Sequence, residues 1–362
     1  MTTIPCESYP MIGGDGAHSY TQNSAFQRSV VDAAKEMIHQ AVKNSLDFKN
    51  PSFSRIEAFR IADFGCSTGP NTFTAVENII DSIANEYDGQ DKNNPPFQFQ
   101  VFFNDHTNND FNVLFMNLPP GRKYFAAGVP GTFYGILFPK STLHFGHSSN
   151  ALHWLSKVPE DVADSKSPAW NKNSITYSGS VDEVSKAYSG RFRDDMNTFL
   201  SSRAHELVSG GLMVVILPCL PEGILLSETT IGMNFSNLRC CLMEMADSGI
   251  ISEEKVDVFN LPIYYPRIKE LETVIHKNGC FSIEKMENMA RLMKHVPPTV
   301  GAVTSHTRAI FQALIKEHFG AEIVDDLFER FAKRLHQNFY PGNLENHKHL
   351  ELFVLLKRIG CK

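Results

Sequence analysis

Two glycines that follow a short apolar run are the first residues in this sequence that suggest chemistry. Residues 59–64 predict a buried strand that ends at Gly65, four residues before Gly69. Apolar side chains at helical spacing predict a helix over residues 71–87. A strand, a tight glycine turn and a helix form the nucleotide-binding corner of a doubly wound α/β sheet. The Gly-x-x-x-Gly spacing is not the pyrophosphate-binding Gly-x-Gly-x-x-Gly. It favours an adenosine compound without a diphosphate, such as S-adenosylmethionine.

A second predicted strand ends in an acidic residue. Residues 97–103 alternate in part between apolar and polar types, and Asn104 and Asp105 follow them. A carboxylate at this point of a doubly wound sheet accepts hydrogen bonds from both ribose hydroxyls. Two plainer interpretations remain: a close-packed turn at the glycines, and a turn or helix cap at Asn104 and Asp105. Taken together, the two motifs favour ribose binding.

Strands and helices alternate along most of the chain, which predicts an α/β fold with a mostly parallel sheet. Two long helical stretches, 228–248 and 311–336, fall outside this alternation and either widen the core or cap a ligand site. Ser209-Gly-Gly211 is predicted to end a helix. The remaining predicted elements are helices at 28–46, 109–118 and 191–208, and strands at 124–129, 212–217 and 353–356, the last closing the sheet edge.

Composition narrows the class of protein. The 362-residue chain has a net charge of −6, which offers no electrostatic attraction to nucleic acid or to an anionic membrane. Its seven cysteines are scattered without a C-x-x-C pair, which suits a reducing compartment. Residues 1–23 lack the features of a signal peptide, and the apolar run at 212–217 is far too short to span a bilayer. We therefore expect a cytoplasmic protein.

Motifs spread over nearly the whole chain resemble the plant SABATH methyltransferases, which are named from salicylic acid, benzoic acid and theobromine. They occur in the family's order. The matching segments are Met11-Ile-Gly-Gly14, Ser19-Tyr20, Asn23-Ser24-x-x-Gln27, residues 61–71, Phe103-Asn-Asp105, Asn109-Asp-Phe-Asn112, Gly128-Val-Pro-Gly-Thr-Phe-Tyr-Gly135, Leu143-His144, His147-Ser-Ser149, His153-Trp154-Leu-Ser156, Arg203-Ala-x-Glu206, Asp257-x-Phe-Asn260 and His318-Phe-Gly320.

The resemblance implies a class I, Rossmann-like methyltransferase fold, with a mostly parallel seven-stranded sheet and an α-helical cap over the acceptor site. It implies one unit over residues 1–362, whose donor-binding core comprises about 50–220, 255–290 and 348–362. The cap would comprise about 1–48, 225–254 and 291–345. It further implies S-adenosyl-L-methionine as methyl donor, S-adenosyl-L-homocysteine as product, a small carboxylic acid as acceptor, and a homodimer.

Residues that match the family's donor site follow from the same resemblance. Tyr20 and Ser24 would hold the methionine part, and Asp105 the ribose. His106 stands where the family commonly has an apolar shelf for adenine, although an imidazole can also stack there. Thr132 replaces a more usual serine and keeps the hydroxyl. The remaining matching residues are Asp63, Gly65, Cys66 and Asn71 in the first motif and Phe133 beside adenine.

For the acceptor, Gln27 and Trp154 match the pair that holds the carboxylate in acid-methylating members. A carboxylic acid, with a reference pKa of about 4, is ionised at neutral pH and needs no general base. The task is to align its oxygen with the methyl carbon and the sulfur. The Gln27 amide and the Trp154 indole are neutral donors that orient this oxygen without cancelling its charge. No catalytic residue is therefore expected. Further acceptor-lining positions are Asn150, His153 and Phe235.

Asn171, Asp257, Phe259 and Asn260 match positions of magnesium ligands in some relatives. A carboxylate, amide oxygens and a backbone carbonyl are hard ligands that suit this ion. Because they are separate from the transfer site, such an ion would be structural. A hydrogen-bonded loop clamp is the alternative interpretation of these residues.

Two other functions remain open. One is N-methylation of a xanthine. The Gln27–Trp154 pair argues against this function, because a purine nitrogen offers no carboxylate for the pair to hold. The other is non-catalytic binding of the adenosyl ligand or of a small acid. The intact donor residues argue against this function.

Overall fold

A computed structural model describes residues 9–53, 56–90, 98–177, 182–289, 299–338 and 350–360. Within these residues a seven-stranded sheet has the order β3-β2-β1-β4-β5-β7-β6. Its strands are β1 (Ala58–Phe64), β2 (Gln98–Asp105), β3 (Phe125–Pro130), β4 (Leu143–Ser149), β5 (Leu207–Cys219), β6 (Phe281–Asn288) and β7 (Leu350–Arg358). The first five run parallel, and β7 is antiparallel to both β5 and β6.

Helices cover both faces of this sheet. They are α1 (Ala25–Ser45), α2 (Pro70–Gln90), α3 (Phe111–Met116), α4 (Asp182–Glu206), α5 (Thr230–Asp247), α6 (Glu253–Val258), α7 (Ile268–Asn278), α8 (Val300–Phe319) and α9 (Val324–Asn338). Helices on both faces of a mostly parallel sheet define a doubly wound α/β fold. The predicted fold class is confirmed.

Alternate residues of the central strands enter different cores, because successive strand side chains point to opposite faces. Val214 and Ile216 of β5 pack with apolar residues of α1 and α2. Val215 and Leu217 pack instead with α4, α5, α7, α8 and α9. The sheet thus separates two cores, and the larger second one contains Phe133, Phe235 and Phe311.

The predicted strand, glycine turn and helix are confirmed as β1, Gly65 and α2. Gly65 has φ +84°, and a Cβ atom there would collide with the side chain of Ala151. Its N–H donates to the Asn104 carbonyl at 2.9 Å. Asp63 of β1 is in register with Phe103 of β2 and with His147 of β4. The carboxyl ends of three strands therefore meet beside this turn, where doubly wound sheets bind ligands.

The helix predicted at 191–208 begins and ends earlier than expected. It is α4, which ends at Glu206, and the segment predicted to end it lies inside β5. Leu207 and Leu212 pair with Leu143 and Phe145, so the four residues 208–211 of β5 lie opposite the single residue His144 of β4. The resulting bulge places Gly210 at φ +79°. Glycine adopts the positive φ that this bulge needs. A helix end often needs the same conformation, so the glycine was interpreted as a helix end.

Two further predictions were wrong. The single helix predicted at 311–336 is α8 followed by α9, because Gly320 ends α8 with φ +108°, a backbone conformation that L side chains rarely adopt. The strand predicted at 353–356 exists as β7, but β7 lies between β5 and β6 and does not close the sheet edge. That edge belongs to β6.

No helix in the described part of the chain is long and apolar enough to cross a membrane. The thiols of Cys66, Cys219, Cys240 and Cys241 are free. Cys280 is disulfide-bonded, which the scattered cysteines did not predict.

Candidate functional site

A small cleft, with a cavity volume of about 40 Å³, opens at the carboxyl ends of β1 and β4. It brings together residues that the sequence places far apart, on α1, β1, α2 and β4. Tyr20, Gln27, Asp63, Cys66 and Asn71 all line it. Gln27 was predicted to hold the acceptor, whereas the other four were predicted to hold the donor. The cleft therefore places one acceptor residue among the donor residues.

Both oxygens of Asp63 have protein partners. The Oδ1 atom lies 2.7 Å from His147 Nδ1, and the Oδ2 atom accepts a hydrogen bond from the Thr72 hydroxyl. Asp63 is 4% exposed and His147 only 2%. Asp63 consequently joins β1, β4 and the first turn of α2, and its carboxyl group also lines the cleft.

Asp105, at the end of β2, is fixed by two backbone groups. Ser67 N–H donates to its Oδ2 atom at 2.7 Å, and His106 N–H donates to its Oδ1 atom at 2.8 Å. Burial raises the pKa of this carboxyl, and the two backbone donors oppose that rise. Burial also raises the pKa of Tyr20, and the charge of Asp105 acts in the same direction. Tyr20 and Asp105 are therefore close enough to interact.

His106 and Phe133 lie at the same end of the site as Asp105. Their ring centroids are 6.4 Å apart with a tilt of 46°. The Asp105 carbonyl accepts from Gly131 N–H at 2.8 Å, which ties the loop carrying Thr132 to β2. The Thr132 hydroxyl accepts from Tyr134 N–H at 3.3 Å. These four predicted donor residues form one group next to the glycine turn.

A buried ion pair holds the loop that carries Phe133. Arg203 Nε lies 2.7 Å from Glu206 Oε2, and neither side chain is exposed. Arg203 also donates to the carbonyls of Phe133, at 2.6 Å, and Gly135, at 2.8 Å. Glu206 Oε1 accepts from two backbone N–H groups of the same loop, those of Leu137 and Phe138. The Arg203-Ala-x-Glu206 motif therefore positions Phe133.

The segment before α1 is fastened to α2 and α8. The Asn71 amide donates to the hydroxyl of Ser24 at 2.9 Å and to its carbonyl at 3.1 Å. His306 of α8 lies 2.7 Å from the Asn23 carbonyl. Ile12 N–H donates to Ala309, also in α8, at 3.0 Å. The helix α8 thus supports the segment that carries Tyr20 and Ser24.

Trp154 lies among aromatic side chains. Its ring centroid is 6.2 Å from those of Tyr9 and His153 and 5.8 Å from that of Phe311. Phe235 contacts Phe311 at 5.9 Å. We call Tyr9, His153, Trp154, Phe235 and Phe311 the aromatic wall. Three predicted acceptor residues therefore lie together in it.

The loop between Ser149 and Trp154 joins the aromatic wall to the cleft. Ser149 lines the cleft. Asn150 adopts a left-handed backbone with φ +52°, and its N–H donates to the Ile216 carbonyl at 2.9 Å. Asparagine tolerates this conformation better than most residues. Asn150 was predicted to line the acceptor site, and this backbone conformation is a second, independent reason for an asparagine at this position.

The residues predicted to bind magnesium form a hydrogen-bonded group. The Asn171 amide donates to Asn260 Oδ1 at 2.7 Å and to the Thr176 carbonyl at 3.0 Å. One Asp257 oxygen lies 3.8 Å from the Lys172 ammonium, and the other is buried without a partner among the described residues. Phe259 packs against His318 and Phe319.

This arrangement does not fit a magnesium ion. The Asn260 side-chain oxygen is already used by Asn171, and the single carboxylate faces a lysine. Nor does any group of three or more His, Cys, Asp or Glu side chains within the described residues suit a metal. The geometry favours the loop clamp.

Sequence reasoning did not assign roles to Ser67, Thr72, His147 or Tyr9. Ser67 and His147 lie in matched motifs, and Thr72 directly follows one, beside Asn71, which was assigned. Their roles depend on partners such as Asp63 and Asp105, which only the folded chain brings near. Tyr9 precedes the first matched motif, and the sequence carries no signal for its contact with Trp154.

The fold and the cleft define an S-adenosylmethionine-dependent methyltransferase of class I. A family model described as SAM dependent carboxyl methyltransferase matches residues 6–359, so the chain belongs to that family. The sequence resemblance to the SABATH methyltransferases is confirmed. The chain is an enzyme that methylates a carboxylate to a methyl ester with S-adenosylmethionine as donor.

Individual relatives agree with this assignment. Loganic acid O-methyltransferase of Catharanthus roseus is 50% identical over 98% of this chain and 95% of its own length. Farnesoic acid carboxyl-O-methyltransferase of Arabidopsis thaliana is 42% identical over 97% of this chain and 99% of its own. A solved structure, a loganic acid methyltransferase with S-adenosylhomocysteine, has a TM-score of 0.93 over 97% of this chain and 99% of that one.

Proposed function

We propose that Gln27 and Trp154 hold the carboxylate of a small plant acid beside the donor, and that no residue acts as an acid or base. The observation that carries this proposal is the position of Gln27 in a cleft with Tyr20, Asp63 and Asn71. The Gln27 Oε1 atom is buried without a partner among the described residues, so this side chain is not held by the protein through its oxygen, and a bound ligand must offer that oxygen a donor.

The proposed chemistry needs orientation more than proton transfer. The bound donor supplies a methyl group on a positively charged sulfur. The acceptor oxygen forms the new bond to the methyl carbon, and the electron pair of the broken carbon–sulfur bond stays on sulfur. Opposite charges cancel along this path, and a site that excludes water assists such a change.

Donor binding is proposed for the residues predicted from sequence. Asp105 would accept from the ribose hydroxyls, because carboxylate oxygens take more than one hydrogen bond. Tyr20, Ser24 and Asn71 would surround the methionine part beside the charge of Asp63. His106, Thr132 and Phe133 would border adenine. Gly65 and Cys66 would allow the backbone to approach the ligand.

The acceptor is a small carboxylic acid, and its identity within that class is a proposal. Two named relatives methylate different acids, loganic acid and farnesoic acid. His153 and Phe235 in the aromatic wall and Asn150 beside it would contact the part of the acid away from its carboxylate. The aromatic wall suits such a contact, because its members are aromatic and are either half-buried or buried.

The test is a labelled-donor assay with a panel of acceptors: loganic, farnesoic, salicylic and benzoic acids, together with xanthine. We expect a labelled methyl ester from at least one acid and no product from xanthine. Product from xanthine alone would support the N-methyltransferase alternative. Binding of S-adenosylhomocysteine, measured by calorimetry, confirms that the protein used is folded.

Two further proposals rest on the family resemblance. We infer a homodimer, which sedimentation analysis tests, and a cytoplasmic location, which a fluorescent fusion tests. Because the residues around Asp257 do not fit a magnesium ion, turnover should also continue after chelation. Loss of turnover in a chelated but folded enzyme would contradict this. The division into donor-binding core and helical cap stays a prediction.

A further inference from the structure

The aromatic wall contains polar atoms that nothing in the described chain satisfies. Tyr9 Oη and His153 Nδ1 are both buried, and neither has a hydrogen-bond partner among the described residues. Both rings lie 6.2 Å from the ring of Trp154, measured between centroids. The indole that is proposed to hold the carboxylate is therefore flanked by two unsatisfied polar groups.

The hydrogen-bonding capacity of Tyr9 Oη and His153 Nδ1 limits which ligand groups can pair with them. His153 stacks on Tyr265 at 5.5 Å, and its carbonyl accepts from Tyr264 N–H, so the imidazole is fixed in place. Burial lowers the pKa of His153 to about 3, so the ring is neutral and offers one N–H and one lone pair. The Tyr9 hydroxyl both donates and accepts.

The acceptor's carboxylate cannot satisfy all of them. An ionised carboxylate only accepts hydrogen bonds, and in the proposed function it is occupied by Gln27 and Trp154. Gln27 Oε1, a third buried atom without a partner, needs a donor and gains none from a carboxylate. An apolar acid would bury these groups unpaired, which is costly, whereas a hydroxyl group can both donate and accept.

We infer that the preferred acceptor is a carboxylic acid that carries at least one hydroxyl group away from its carboxylate, and that Tyr9 and His153 recognise that hydroxyl. This inference rests on the proposed function, because it takes the carboxylate to lie between Gln27 and Trp154. It adds Tyr9 to the acceptor site and makes His153 a determinant of specificity. A site built for a hydroxyl discriminates strongly against an analogue that lacks it.

The experiment compares acids that differ by one hydroxyl group. Suitable pairs are geranic acid with 8-hydroxygeranic acid, and cyclohexanecarboxylic acid with 4-hydroxycyclohexanecarboxylic acid. We expect the better hydroxy acid to exceed its partner in kcat/KM by roughly tenfold to a hundredfold. In Tyr9→Phe and His153→Phe this ratio should fall toward one, because the hydroxy acid loses its partner while the other acid loses nothing.

Tyr124→Phe is the matched control. The Tyr124 hydroxyl is also buried without a partner among the described residues, but the side chain packs against Phe103 in the other core. Its removal should leave the ratio unchanged. Equal turnover of both members of each pair, or a ratio that survives both wall variants, would overturn the inference. Absence of methyl ester from every acid of the earlier panel would instead overturn the proposed function.

Discussion

Asp63 and His147 are joined across two neighbouring strands by a buried contact of 2.7 Å, although 84 residues separate them in the chain. The same carboxylate accepts from the Thr72 hydroxyl at the start of α2. One side chain therefore sets the spacing of β1, β4 and α2 at the mouth of the cleft. This explains why an acidic residue precedes the glycine turn.

Asp63→Asn should weaken both folding and donor binding. The amide keeps the size of the side chain but loses the charge and one acceptor, which costs about 1–3 kcal/mol for a buried group. Thermal unfolding and calorimetry with S-adenosylhomocysteine measure the two effects. Asp32→Asn, which removes an exposed ion pair with Arg28, should change neither by more than about 0.5 kcal/mol. Unchanged donor affinity in Asp63→Asn would remove this residue from the site.

Asp105→Ala should weaken donor binding far more than acceptor binding. Loss of the proposed ribose contacts should cost on the order of 2 kcal/mol, or about thirtyfold in Kd for S-adenosylhomocysteine. Asp47→Ala is the control, because Asp47 also accepts from a backbone N–H, that of Lys49 at 2.9 Å, in an exposed turn. An Asp105 variant that binds the product as tightly as the parent would contradict the ribose assignment.

Trp154→Phe tests the carboxylate clamp. Phenylalanine keeps most of the contact with Tyr9 and Phe311 but lacks the indole N–H. The change should reduce kcat/KM by roughly 1–3 kcal/mol, or about ten- to a hundredfold, with donor affinity nearly intact. Trp170→Phe should leave kinetics unchanged.

Gln27→Ala should cost about as much as Trp154→Phe, and the double variant should cost less than the sum, because both side chains hold one group. Full additivity would mean that the two residues act independently. A lower melting temperature with normal kinetics would make Trp154 a core residue only.

The pH profile of turnover should be flat near neutrality. His153 has its pKa lowered to about 3 by burial, so it stays neutral over the working range. Activity should fall only toward the acceptor's own pKa of about 4, where the nucleophile becomes protonated. The profile of His153→Asn should have the same shape as that of the parent. A limb near pH 6.5 that vanishes in this variant would show that His153 titrates during catalysis.

Glu351 should make the fold less stable as the pH rises. Its carboxyl is 3% exposed without a partner among the described residues, and burial raises its pKa to about 8. Between pH 4.5 and 8 the folded protein keeps a proton that the unfolded chain releases, so stability falls by up to about 1.4 kcal/mol per pH unit. Glu351→Gln should remove this fall, which urea unfolding at several pH values measures.

Glu222→Gln, at an exposed position, serves as the control for Glu351→Gln and should follow the parent at every pH. A Glu351 variant whose stability difference from the parent is the same at pH 5 and pH 8 would show that this carboxyl ionises normally in the folded protein.

Local patterns predicted the first part of the fold well and β4 not at all. Four of the six residues at 59–64 are apolar, and together with the glycine turn and the helical pattern that follow they identify a buried strand without any knowledge of tertiary contacts. The strand β4 contains His144 and His147, which interrupt the apolar pattern. His144 Nδ1 accepts from Arg60 N–H at 2.9 Å, and His147 contacts Asp63. Both are buried because distant residues satisfy them, and a local pattern carries no such information.

The residues of the candidate site likewise include some that a local pattern predicts and some that it does not. Asp105 was predictable because its position follows from the end of a strand. Tyr9 was not, since its contact with Trp154 depends on how the N-terminal segment crosses α8. Glycines were ambiguous for a different reason: Gly210 in a bulge and Gly320 after a helix both have positive φ. Composition alone does not separate a bulge from a helix end.

The strand order also bears on biosynthesis of the enzyme. Because β7 lies between β5 and β6, the strand nearest the end of the sequence is needed to attach β6 to the sheet. During translation β6 stays unpaired until β7 has been synthesised, and exposed strand edges favour aggregation. Truncations that remove β7 should therefore give inclusion bodies, because they leave β6 without a strand to pair with.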